Sequence, residues 1–158
     1  MLSKPKLCTY SQIKNCLQFE PYLLYGSSLA RSVVFSLRSG SNRLRIETGR
    51  WASEERAARL CIYCESKEVE DEIHFAVSCE NYGDLRDNFY RRVFHLTEGK
   101  LNLYRELDKM TIFRLMVGCD GVGSGSFRSK SWNQIFGAAQ NFLFLAMKRR
   151  RALGGEIL

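Results

Sequence analysis

The stretch CIYCESKEVEDEIHFAVSC, residues 61–79, sets Cys61 and Cys64 either side of two residues, then His74, then Cys79. The spacing is C-x2-C-x9-H-x4-C. Two cysteines at that separation bind one ion from a tight turn, and a histidine and a third cysteine complete the tetrahedron of a structural zinc site. A lone cysteine or histidine reads as a small buried thiol or a core ring. Four at ligand spacing read as a metal clip. Protein fills all four positions, so no open site is left to activate a water, and catalysis at the metal is not expected.

The rest of the chain sets the context of the clip. Its 158 residues suffice for a single domain, 1–158, and 45% hydrophobic, 26% charged residues with two prolines describe a soluble globular protein. The first residues, MLSKPKLCTYSQIK, lack the apolar run of a signal peptide. The longest apolar stretch, Ile135 to Met147, is broken by Gln140 and Asn141 and falls short of the ~20 residues of a membrane span. No membrane association is expected. The location expected is intracellular, nucleus or cytoplasm, where thiols stay reduced and closely spaced cysteines favour metal over disulfide. Cys8, Cys16 and Cys119 stand alone and read as small buried hydrophobes.

Charge is segregated. Residues 1–60 carry net +6, residues 61–84 net −6 and residues 85–158 net +7. A basic body thus holds an acidic island, and the island is the clip. The overall basic balance favours an anionic partner such as nucleic acid.

Hydrophobic spacing predicts a mainly α fold: a small helical domain with an inserted CCHC zinc knuckle. Residues 1–42 read as N-terminal helices, one over Ser11–Leu17 and one over Ser28–Leu37 with Leu29, Val33, Val34 and Leu37 on its apolar stripe. Residues 43–86 read as a basic arm, extended or turned over Arg43–Trp51, followed by the zinc-binding segment. Residues 87–158 read as C-terminal helices. One begins at an Asp84 cap and runs to about Leu96, a second spans about Leu101–Val117, and a third from about Ser131 carries Ile135, Ala139, Phe142 and Ala146 inward and ends in Lys148–Arg151. A Gly/Ser-rich loop occupies 118–130.

The succession LRSGSNRLRIETGRW (37–51), ERAARLCIYCES (55–66) and VEDEIHFAVSCENYGDLR (69–86) resembles the C-terminal zinc-binding region of LINE-type, non-LTR retrotransposon reverse transcriptases. In that family a basic IETGRW-like arm precedes C-x2-C, an acidic EDE-x-HF segment carries the histidine, and the last cysteine leads into a Y-x-x-LR helix. Looser likeness extends over KLCTYSQIK and FEPYLL to the terminal helix. Glu80 stands where the family often has proline. The resemblance implies that Cys61, Cys64, His74 and Cys79 ligate one structural Zn2+ and that the surrounding region helps a polymerase hold template RNA.

No Tyr- or Phe-x-Asp-Asp polymerase motif occurs in the sequence. The expectation is therefore a non-catalytic, zinc-stabilised nucleic-acid-binding module, for RNA in particular, with a reverse transcriptase or another protein as a further partner. The alternative is a structural or protein-interaction module. Because three thiolates and seven neighbouring acids repel phosphate, contacts are assigned to Arg43, Arg45 and Arg50 on the arm and to Lys148, Arg149, Arg150 and Arg151 at the end. A basic run at a helix C-terminus also complements the helix dipole, which is the structural reading of the last four. Tyr63 and Trp51 could stack on bases or cover the metal. Glu70, Asp71 and Glu72 are candidates to orient His74.

Overall fold

A computed structural model describes residues 8–14, 20–105, 107–118 and 130–154. The expected mainly α architecture is present, as helices α1 (Cys8–Ile13), α2 (Ser28–Ser39), α3 (Arg45–Trp51), α4 (Gly83–Leu96), α5 (Lys109–Met116) and α6 (Lys130–Leu153). Single 3-10 turns occur at Pro21–Leu24, Arg56–Ala58 and Glu80–Tyr82, and a π-turn at His74–Ser78. Among the described residues there is no β-strand, only an antiparallel bridge between Leu60 and Val69. No helix there is long and apolar enough to cross a membrane.

The amphipathic stripes set the packing. The long helix α6 buries Ile135, Ala139, Phe142, Leu143 and Ala146 against α2 and α4. Facing it, α2 contributes Val33, Val34 and Leu37, and α4 contributes Phe89, Tyr90 and Val93. Leu29 is not part of the α2 stripe; it is 64% exposed. The buried series is Ala30–Val33–Val34–Leu37, and Leu29 sits one residue, about 100°, off that line. Ser27 caps α2 by accepting from the Ala30 N–H at 3.2 Å, and Gly40 ends it at φ 63°.

Several boundaries differ from the sequence expectation. The arm at 43–51 is helical from Arg45 onward, because its first N–H groups find acceptors at Glu70: the Arg45 N–H donates to Glu70 Oε2 at 2.8 Å and the Ile46 N–H to the Glu70 carbonyl at 3.0 Å. Gly49 does not break this helix. A Cβ there would lie 2.6 Å from Arg59 Cγ, so the glycine gives room for Arg59 to cross α3 and donate to the Ile46 carbonyl at 2.9 Å.

The single helix expected over Leu101–Val117 is confined to Lys109–Met116. Asn102 and Asp108 divert the backbone: the Tyr104 N–H donates to Asn102 Oδ1 at 3.0 Å, and Asp108 accepts from Met110 and Thr111, capping α5. Leu103 still reaches the core, 2% exposed, from a turn. Asp84 lies in the first turn of α4 rather than at its cap, and Tyr82 holds the cap position without a side-chain bond. α1 starts at Cys8 rather than Ser11. Residues 15–17 of the expected first helix, residues 119–129 of the Gly/Ser-rich segment, and Cys16 and Cys119 lie outside the described residues.

Candidate metal centre

The Leu60–Val69 bridge builds the first half of the site. The Cys61 N–H donates to the Glu68 carbonyl at 2.9 Å and the Glu70 N–H to the Arg59 carbonyl at 3.0 Å, closing a tight loop that presents Cys61 and Cys64. Lys67 turns it through the left-handed region at φ 55°. Asp71 opens the second half: its Oδ1 accepts from the Ile73 and His74 N–H groups at 3.1 and 2.9 Å.

The Cys79 N–H then donates to the His74 carbonyl at 2.7 Å. This i→i+5 bond is the mark of a π-turn. It stacks residues five apart on one side, whereas an α-turn of 3.6 residues would swing them about 140° apart. The H-x4-C spacing therefore needs this winding to aim both ligands at one point.

The four ligand atoms of Cys61, Cys64, His74 and Cys79 all lie within 4.8 Å of one another. Cys61 Sγ and Cys79 Sγ are 3.9 Å apart, and Cys64 Sγ and His74 Nε2 are 3.4 Å apart. Two thiolates bound at ~2.3 Å to one tetrahedral ion stand ~3.8 Å from each other. The group is thus placed to hold a metal ion. Cys61, His74 and Cys79 are buried, and Cys64 is half-buried with its sulfur 3.2 Å from Ser66 Oγ.

The histidine is oriented by Glu68, not by Glu70, Asp71 or Glu72. Glu68 Oε2 lies 2.9 Å from His74 Nδ1, which turns Nε2 toward the sulfurs. Glu70 and Glu72 point elsewhere into the protein: Glu72 accepts from Asn42 at 3.0 Å and from Thr9 at 2.9 Å. Burial pushes the Glu72 carboxyl above its ordinary pKa.

Proton affinities in the cluster are set by proximity. The hydrogen bond from Cys79, opposed by burial, lowers the Cys61 thiol to about 3. Cys79 is raised in turn, by the same bond and by burial. Burial would lower His74, but its bonds to Cys61 and Glu68 outweigh that and lift it to about 9. Such a cluster exchanges its protons for a cation when a metal binds.

Glu70 ties the site to the rest of the protein. Its carboxylate is 1% exposed and accepts from Arg150 Nε at 2.7 Å and Nη2 at 2.8 Å. Arg150 also lies over the Tyr63 ring, 5.2 Å from its centroid, so Tyr63 is a half-buried platform for α6. Next to it, Arg149 grips Asp84 with its two terminal guanidinium nitrogens, Nη1 at 2.5 Å and Nη2 at 2.8 Å, and donates from Nη1 to the Asn81 carbonyl at 2.9 Å.

The candidate phosphate contacts are therefore in different states. Arg45 pairs with Glu54 at 2.5 Å and Arg50 with Glu47 at 2.5 Å, while Arg149 and Arg150 are held as above. Arg43 and Lys148 are exposed and Arg151 is half-buried. Trp51 is 59% exposed, and His95 is also exposed on α4. Glu68, Glu70 and the inward aim of Arg150 are the functional features that ligand spacing alone does not reveal.

Comparison of the chain with protein-family models, with curated proteins and with solved structures yields no match.

Proposed function

We propose that this protein is a non-catalytic module stapled by one zinc ion that binds nucleic acid, RNA in particular, in the manner implied by its resemblance to the tail of LINE-type reverse transcriptases. The observation that carries the zinc is the convergence of Cys61, Cys64, His74 and Cys79 to within 4.8 Å. Three thiolates and an imidazole suit a borderline-soft, tetrahedral ion and leave it no open position. On this reading the metal is structural, the chain has no polymerase or hydrolase activity, and it works inside the cell, in the nucleus or cytoplasm.

The nucleic-acid part of the reading is supported by a net charge of +7 and by where the acids go. Glu47, Glu54, Glu70 and Asp84 each neutralise an arginine within the fold. A phosphate would have to displace those carboxylates, so the contacts fall to Lys148 and Arg151 among the expected residues. Arg92 and Lys148 are exposed and make no ion pair among the described residues. The test is the salt dependence of binding to a single-stranded RNA. Replacing Lys148 and Arg151 together by Gln is expected to lower the log–log slope by up to about 1.4, at ~0.7 per phosphate contact. An unaltered slope in that variant, or affinity that ignores salt, overturns the reading in favour of a protein partner.

A further inference from the structure

The helices α4 and α6 run antiparallel, with Phe89 stacked on Phe142 at 5.9 Å and Asp84 gripped by Arg149 further along. On their outer side they leave a groove of about 940 Å3. Leu85, Leu96 and Leu145 form its apolar wall, Arg91, Arg92 and His95 rise along the α4 edge, and no acidic residue lines it among the described residues. Arg91 donates to Asn88 Oδ1 at 2.9 Å, whereas Arg92 makes no ion pair among the described residues.

The α6 wall contains Gly137. Glycine in a helix interior weakens the helix relative to alanine. Packing within the fold does not require it, since a Cβ there would meet nothing within 4 Å. Its effect is to leave bare backbone facing the groove, the arrangement that lets another chain approach closely.

We propose that this groove docks an amphipathic α-helix of another polypeptide, with an apolar stripe flanked by Asp and Glu. This goes beyond the nucleic-acid reading. The apolar wall takes the stripe, Arg91, Arg92 and His95 meet the acids, and Gly137 admits a side chain or the helix itself. From Leu85 to Leu96 the groove runs about 16 Å, room for three helical turns. A nucleic acid fits less well, because Phe89 and Phe142 are each 3% exposed and stacked on one another, offering no face to a base.

The experiment uses the full, metal-loaded chain and a fluorescent synthetic helical peptide of about 16 residues, with Leu at i, i+3, i+4 and i+7 and Glu on both flanks. A second peptide has Lys for every Glu, and oligouridine serves as competitor. The acidic peptide is expected to bind and the basic one not. Gly137→Leu should weaken binding about tenfold or more while helicity holds or rises, and Arg92→Glu should weaken the acidic peptide by a similar factor and admit the basic one. Gly137→Ala, which should raise the thermal midpoint, guards against a misfolded leucine variant, and Arg92 is an exposed site whose change leaves the core alone. The proposal is overturned by absence of saturable binding up to about 1 mM, by parental affinity in both the Gly137→Leu and Arg92→Glu variants, or by oligouridine binding that shows the same Gly137 dependence.

Discussion

Glu70 and Arg150, 80 residues apart in the chain, meet in a buried two-bond clamp, Nε to Oε1 at 2.7 Å and Nη2 to Oε2 at 2.8 Å. The same carboxylate accepts the first N–H of α3. One side chain therefore joins the metal loop, the helix before it and the end of the last helix. The loop that carries the candidate ligands is tied into the helical body by this contact.

Breaking the clamp from one side is expected to be costly. Arg150→Gln leaves the Glu70 carboxylate buried without its partner, and removal of one member of a buried pair destabilises by ~3–5 kcal/mol. Arg151→Gln, half-buried and in no ion pair among the described residues, should stay within ~0.5 kcal/mol. Urea unfolding of the two variants checks this, and equal midpoints would show that the clamp contributes nothing.

The metal should be one ion per chain and coupled to folding. Ligation of this kind contributes ~10–16 kcal/mol of apparent binding free energy. Cys61→Ser or Cys79→Ser should abolish stoichiometric zinc in elemental analysis, whereas Cys8→Ser, Cys16→Ser and Cys119→Ser should not. Chelation should raise hydrogen exchange first across residues 45–86, since α3 starts on Glu70 and α4 follows Cys79 directly. Full zinc content in the Cys61 and Cys79 variants would remove the assignment.

Glu68 should tune the metal without holding it. It fixes the ring of His74 through Nδ1 at 2.9 Å, and loss of such a partner weakens metal binding by ~10–100-fold. Glu68→Gln is expected to lose zinc to a competing chelator by that factor, while Glu80→Gln, exposed and beyond the last ligand, keeps parental affinity. The comparison separates orientation of the ring from general removal of negative charge.

The clip was legible in the sequence because its ligands are local: two cysteines in one turn, and a histidine and cysteine in another. The π-turn that aligns the second pair was not, since it depends on Asp71 accepting two N–H groups and on the burial of Phe75 and Ala76. Likewise α3 owes its start to Glu70, 25 residues further on, so composition around Gly49 pointed to a turn. The stripe Ile135–Ala139–Phe142–Ala146 was readable, and four residues beyond it lies Arg150. That phase carries Arg150 to the inner face, although the basic run it belongs to reads as a phosphate contact, and its partner Glu70 is fixed only by the tertiary fold. By contrast, periodicity across 101–117 overran the start of α5 because Asn102 and Asp108 compete for backbone N–H groups.

Acid should act on the metal centre before it acts on the ion pairs. Arg149 holds the Asp84 carboxyl down to about 2 from its ordinary 3.8. A depressed acid contributes stability above its unfolded pKa and loses it as pH falls through the folded value, so this pair matters at pH 4 and above and fades toward pH ~2. With the Asp84 side chain 64% exposed, solvent screening limits the contribution to ~0.2–1 kcal/mol. The metal ligands, in contrast, compete with protons from well above that range, since the metal-free cluster lifts His74 to about 9. Zinc release and loss of tertiary structure should therefore coincide above pH ~4. Glu68→Gln should move that midpoint to higher pH, because a less well-oriented His74 yields its metal sooner, and Asp84→Asn should leave it nearly unchanged. Parallel titrations followed by metal release and near-ultraviolet circular dichroism check both statements; a midpoint that follows Asp84 and ignores Glu68 would place the acid-sensitive element at the α4–α6 junction instead of the metal.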